Sequence, residues 1–297
     1  MPLKRIKCSP LKTLKSAPVF PNKGSKALEL PWELFLEILS YFDPPIAVLI
    51  HTDDMPGPSR YIEKADVLRA LSQTCKWWRT LFLPLLWERF EPSLSPLRSA
   101  AWYKVYGDAL IRKSSLVCEN PEIASHVRCV SDPVSLSRYS IATVLPAFVR
   151  AIKALPNLQT LEILRMHHKM TTALKEVFDH HIFPQVRTIT LPKHAHNIFT
   201  CFPEVRKVVC INGGDSGTLV NAIAKGCKKV EEIEGFYGSG SVMKKLVKAA
   251  PNLRSIKFDH PIPSVASCPS KNFILIENFS PSTLFFAEET RPHNIIQ

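Results

Sequence analysis

Hydrophobic positions along the chain fall into two regimes. In the first 90 residues they recur at three- and four-residue intervals, the spacing of a helix with one apolar face. Residues 28–43 carry Leu30, Leu34, Ile38 and Leu39 in this way, and Pro31 stands where a first helical turn tolerates it. Glu33 and Glu37 suit the positive end of the helix dipole, and Asp43-Pro44-Pro45 stops the helix. A second periodic run, Asp66 to Phe82, places Val67, Leu68, Leu71, Cys75 and Trp78 on one face, with Asp66 as its expected N-cap. Pro84 to Phe90 is expected to add one or two further turns, while the Pro-, Gly- and Asp-containing stretch 44–65 is expected to be a loop.

Beyond residue 140 the regime changes to a repeat. Pro156-Asn157-Leu158 is followed by Leu161 and Ile163, Pro184-Gln185-Val186 by Ile189 and Leu191, and Pro203-Glu204-Val205 by Val208 and Cys210. Lys228-Lys229-Val230 is followed by Ile233, with Gly235 at the next apolar position, and Pro251-Asn252-Leu253 by Ile256 and Phe258. Five segments thus share apolar residues at offsets 0 and +3, four of them also at +5, and their first positions (158, 186, 205, 230, 253) lie 28, 19, 25 and 23 residues apart. Segments 141–155, 171–182, 216–224 and 241–250 have helical patterns between them, with Ser216 and Ser241 as N-caps of the last two. The arrangement predicts alternating helix and short strand, an α/β architecture. Chance alignment of five strands in another α/β fold stays open as the alternative.

The period and offsets are similar to those of leucine-rich repeats, in which a short strand follows a helix in each unit. Regular members carry Asn or Cys at offset +8. Here those positions hold Met166, His194, Gly213, Gly238 and Pro261, so the resemblance is to an irregular, divergent solenoid. In that register offsets +2, +4 and +6 face away from the helices. Glu162, Lys207, Glu232, Glu234, Phe236 and Lys257 are then candidates to bind a protein target, unless the C-terminal tail covers part of the face.

Two or three N-terminal helices cannot bury their own apolar faces. Those faces meet either a partner or the rest of the chain. The pattern Leu-Pro-x-Glu-Leu-x-x-x-Ile-Leu at Leu30 to Leu39 resembles the opening of F-box domains. Leu-Ser-Gln-Thr-Cys-x-x-Trp-Arg at Leu71 to Arg79 resembles their closing helix, and Phe82 to Arg89 resembles a fungal, basidiomycete-like subset. The resemblance implies that Leu30, Pro31, Leu34, Ile38, Leu39, Leu68, Leu71 and Trp78 face a Skp1-type linker subunit and, through it, a cullin. It also implies a non-catalytic adaptor of a ubiquitin ligase, with ubiquitin transfer carried by other subunits and an unknown protein as substrate. The expected organisation is a basic leader (1–27), an F-box-like module (28–91) with the 44–65 insertion, a connecting helical segment (92–140), the repeat region (141–280) and a tail (281–297).

Charge and composition sharpen this only in places. The net charge of +12 suggests nucleic acid until it is located: residues 1–27 supply +7 with no acid, leaving +5 on the other 270 residues. That Pro-containing arm is expected to be a disordered leader, with a nuclear-localisation or RNA-contacting role as the alternative. A nucleic-acid partner is therefore disfavoured. No apolar run approaches a bilayer span and residues 1–27 lack an apolar signal core, so an intracellular protein of cytoplasm or nucleus without a membrane partner is expected. The eight cysteines form no CxxC pair and are expected to be buried thiols; no metal or cofactor is expected.

Other signals are set aside on context. Gly214-Asp215-Ser216-Gly217 matches a trypsin-like nucleophile loop, but a Ser-capped helix start accounts for it. His167, His168, His180, His181, His194 and His196 lack metalloenzyme spacing and are expected in surface loops. Gly238-Ser239-Gly240-Ser241 lacks the Lys-Ser/Thr pair of a phosphate cradle.

Overall fold

A computed structural model describes residues 31–42, 59–91, 102–132, 141–164, 166, 168–211, 216–238, 240–258, 273–276 and 283–286. The basic leader, Leu30, the start of the 44–65 insertion, His167, Cys8 and Cys268 lie outside these residues. The chain divides into two compact units, one ending at Tyr41 and one comprising the remainder.

The first unit contains helix α1 (Trp32–Ser40), with Pro31 immediately before it and Glu33 in the first turn. The first described helices of the second are α2 (Ser59–Thr74) and α3 (Lys76–Glu88). The expected single helix from Asp66 to Phe82 is therefore two. Ser72 and Thr74 hydroxyls donate to the carbonyls of Arg69 and Leu71, three residues back, and Cys75 between the helices is extended. Asp66 lies inside α2, where it pairs with Arg69, and is not a cap. The loop expected over 44–65 is helical from Ser59 onward. Pro84 sits within α3, so the third segment continues that helix to Glu88.

Seven parallel strands then follow in chain order, each beside its predecessor: β1 (Arg89–Phe90), β2 (Cys129–Asp132), β3 (Thr160–Ile163), β4 (Thr188–Pro192), β5 (Lys207–Ile211), β6 (Glu232–Phe236) and β7 (Ser255–Phe258). Helices α4 (Trp102–Glu119), α5 (Pro121–His126), α6 (Ile141–Ala154), α7 (Thr171–Phe178), α8 (Ser216–Gly226) and α9 (Gly240–Ala249) lie between them, and a 3-10 helix (Lys193–Cys201) links β4 to β5. Only 19 residues separate the apolar starts Val186 and Val205, too few for the longer helices of the other units. Strands β8 (Phe273–Ile276) and β9 (Thr283–Phe286) extend the sheet antiparallel beyond β7, in the order β7-β9-β8.

The sheet thus begins before residue 141, where the repeat was expected to start, and takes in part of the expected 281–297 tail. Phe90 and Val130 are the missed inward positions. They stand in register with Leu161, Ile189, Val208, Ile233 and Ile256, one residue per parallel strand, and every member of this row is buried to 1% or less. Against the row pack α6 through Leu145, Phe148 and Ile152, and an aromatic group in which Phe183 and Phe202 stack at 5.3 Å. Burial of each such aliphatic contributes about 1.5–3 kcal/mol.

The edge where the strands begin carries a backbone device. The carbonyls of Arg128, Gln159, Arg187, Arg206 and Glu231 each accept two N–H groups from the following unit, at 2.7–3.1 Å. Beside it, Asn157, Gln185 and Asn252 donate side-chain amides to Ser125, Leu155 and Lys228 carbonyls at 2.7, 3.5 and 3.3 Å. The polar rung sought at offset +8 thus has a counterpart at offset −1.

Gly235 resolves the gap in the repeat. Its φ is +70°, and the register of β6 against β7 shifts between Ile233 and Phe236. The extra residue turns Phe236 inward opposite Phe258, ring centroids 6.0 Å apart, so the apolar position missing at 235 is filled one residue later. A Cβ at Gly235 would lie 2.2 Å from the Cys210 carbonyl oxygen. Gly235→Ala is therefore expected to lower stability by more than about 1 kcal/mol in urea unfolding, and to disturb Phe236 packing. An unchanged midpoint would contradict the bulge.

Candidate functional site

Residues implicated in partner docking divide by exposure. Pro31 before α1 is exposed, Leu34, Leu36 and Ile38 on α1 are 44%, 42% and 51% exposed, Leu36 lying off the row of the other two, and Tyr41 follows at 76%. Leu34, Ile38 and Tyr41 stand at i, i+4 and i+7, a single stripe of the first unit. Leu39 is buried at 4% and Leu68 of α2 at 3%, so both serve as packing residues and not as an accessible face. Leu71 and Trp78 are half-buried, and the Trp78 ring meets Phe82 edge-on at 5.7 Å.

The strand face opposite the helices is charged and internally paired. Glu162 Oε2 accepts from Arg89 Nη2 at 2.7 Å, and Arg89 also pairs with Glu91. Glu234 Oε1 accepts from Lys207 Nζ at 2.7 Å and Lys257 Nζ at 2.8 Å, while Glu232 reaches Lys207 at 3.7 Å. Partial burial pushes the Glu234 carboxyl up, but the hydrogen bonds from Lys207 and Lys257 outweigh it and hold it below the usual carboxylate range. Five of the six expected target-binding residues therefore belong to this face. Phe236 does not, because the bulge at Gly235 turns it into the core. Toward the strand ends Thr190, Pro192 and Ile211 are buried as well, which shortens the accessible face.

One group escaped sequence reasoning. Lys113 of α4 donates to the Glu91 carbonyl oxygen and lies over the Trp87 and Phe90 rings, 5.1 and 5.5 Å from their centroids. Burial lowers its ammonium from 10.5 to about 8, against an opposing pull from Glu91 and with added repulsion from Arg69. Only the fold brings Trp87, Phe90 and Lys113 together.

The thiols point to packing, whereas His168 and His180 are exposed and His181 and His194 half-buried. Cys201 and Cys227 are buried, and Cys227 Sγ lies 3.2 Å from both the Phe199 and Phe202 carbonyl oxygens. Burial pushes the Cys227 thiol up to about 12. Cys75, Cys118, Cys129 and Cys210 are only partly buried. His196, expected in a surface loop, is buried in the 3-10 helix with its ring 5.7 Å from that of Phe199. No group of three His, Cys, Asp or Glu residues suited to a metal ion occurs among the described residues. Helix α8 opens at Ser216 itself. Among the described residues no helix is long and apolar enough to cross a membrane. No family model and no curated protein matches the chain.

Two measurements follow from these environments. A lysine whose folded pKa is depressed binds its proton more weakly in the folded state, so its contribution to stability rises with pH from about 8 toward 10.5. NMR of labelled lysine side chains is expected to show one resonance titrating near 8 and absent in Lys113→Met; its titration with the other lysines would remove the buried site. Alkylation of the native protein by iodoacetamide at neutral pH is expected to spare Cys227 until denaturant is added. Modification of Cys227 under native conditions, read by mass spectrometry, would contradict its burial.

Proposed function

We propose that the chain is the substrate-recognition adaptor of a Skp1–cullin–F-box ubiquitin ligase, with α1 contributing to Skp1 docking and the later units carrying the target. The observation that bears most weight is the exposed stripe Leu34, Ile38 and Tyr41, on a helix that begins directly after the Leu-Pro pair of the F-box-like motif. Leu34 and Ile38, left at about half exposure, with the more exposed Tyr41 after them at i+7, suit insertion of a helix into a partner's groove.

A second support is the succession of parallel strands, each following a helix, which suits a divergent leucine-rich-repeat-like solenoid. Its charged strand face presents Glu162, Lys207, Glu232, Glu234 and Lys257 together, as a polar surface for a protein target. The adaptor's own contribution is proximity: it holds the target near an activated ubiquitin supplied by other subunits.

The exposed positions allow a test that spares the core. Leu34→Asp with Ile38→Asp is expected to abolish co-purification with a Skp1-type subunit, weakening it by more than about tenfold, with the circular dichroism spectrum unchanged. Retention of the subunit by this variant would refute the docking stripe. Recovery of a cullin in the wild-type complex distinguishes a ligase adaptor from a Skp1-binding scaffold working outside one.

A further inference from the structure

The sequence places its obvious basic segment in residues 1–27 and scatters the remaining cations. Parallel succession of units gathers some of them again. Helices α8 and α9 end where the next strands begin, so the last helical turn, the connecting turn and the first strand residue of successive units share one edge of the sheet. From β5 to β7 this edge carries Arg206, Lys225, Lys228, Lys229, Lys248 and Arg254, all exposed. The acids among them are Glu204 and Glu231, and both are engaged: Glu204 with Arg187 at 2.9 Å and Lys229 at 2.6 Å, Glu231 with Arg206 at 3.1 Å.

Among the described residues no acid pairs with Lys225, Lys228, Lys248 or Arg254. The helix dipole accounts for Lys225 and Lys248, each in a last turn. It does not account for Lys228 and Arg254, which lie outside the helices. Neighbouring strands are about 4.8 Å apart, so Arg206, Glu231 and Arg254 at equivalent positions form a row that an extended chain crossing the strands can follow, with Lys228 in the turn that leads into the middle strand.

We infer that this edge is a docking site for an acidic protein segment, extended and rich in Asp and Glu, separate from the charged strand face. Two features favour a peptide over nucleic acid. No aromatic residue stands at offsets −2 to +1 in any of the five units, which leaves no platform for base stacking. Glu204 and Glu231 also interrupt the row, which opposes a continuous phosphate backbone but admits a peptide whose acids are spaced. The site is independent of Skp1 docking.

The test uses the full chain and labelled oligoglutamate at physiological ionic strength, read by fluorescence anisotropy. Lys228→Glu with Arg254→Glu is expected to weaken binding about tenfold or more. The control Lys76→Glu with Arg79→Glu makes the same change of net charge on exposed positions of α3, and is expected to alter binding less than about twofold. Oligothymidylate of matched length is expected to bind more weakly than the peptide. Equal losses in both variants, no loss in the edge variant, or absence of oligoglutamate binding would overturn the site. Tighter, edge-dependent binding of oligothymidylate would reassign it to nucleic acid and overturn the peptide.

Discussion

The second unit depends on one row of side chains, Phe90, Val130, Leu161, Ile189, Val208, Ile233 and Ile256, each contributed by a different strand and each almost wholly buried. Parallel strands in chain order place one residue per unit at each level, and side chains alternate between faces with a period of two. A slip of one residue in any unit would exchange a core aliphatic for a residue of the charged face, a cost of several kcal/mol from lost burial and stranded charge together. Register is therefore specified locally in every unit, and helix length between units is free to vary. The 3-10 helix of the shortest unit and the 14 residues of α6 serve the same row.

Register also needs a start, and the edge before the strands provides it. The carbonyls of Arg128, Gln159, Arg187, Arg206 and Glu231 each accept two amides from the next unit, which fixes the stagger before the strand ladder begins. Asn157, Gln185 and Asn252 reinforce it from the side, and the Arg187–Glu204–Lys229 chain does so electrostatically. These ion pairs are exposed and screened by solvent, so they select the stagger while the buried row supplies the stability.

Legibility in the sequence followed the same division. The five later strands were readable because Pro or Lys, a polar residue and an aliphatic announce each one before two inward positions at fixed offsets. The first two strands were not, because Trp87 and Phe90 continue the periodicity of α3, and Val127 with Val130 follows a short helix without the preceding Pro. The break at Cys75 depends on hydroxyl-to-carbonyl bonds that hydropathy does not register. Gly235 marked an irregularity, but only the backbone shows that it inserts a residue and does not merely omit a side chain. In α1 and α2, helical spacing grouped Leu39 and Leu68 with their neighbours; two residues adjacent in a stripe can still fall on opposite sides of a buried boundary.

Internal pairing on the strand face constrains what recognition there can achieve. A target that engaged Glu234 would compete with two lysines already hydrogen-bonded to it, and one that engaged Lys207 or Lys257 would have to offer an equally good acceptor. Glu162 is likewise held by Arg89. Exchange of one satisfied ion pair for another releases little net free energy, so affinity has to come from added contacts, while mismatched charge is penalised in full. Such a face discriminates among partners more than it attracts them. The edge has the opposite character: among the described residues no acid pairs with Lys228 or Arg254, so an incoming acid has no such pair to displace. In the proposed reading the edge gathers acidic segments and the strands select among them, because one sheet has two kinds of boundary: a face whose charges are paired and a rim whose charges are paired only in part.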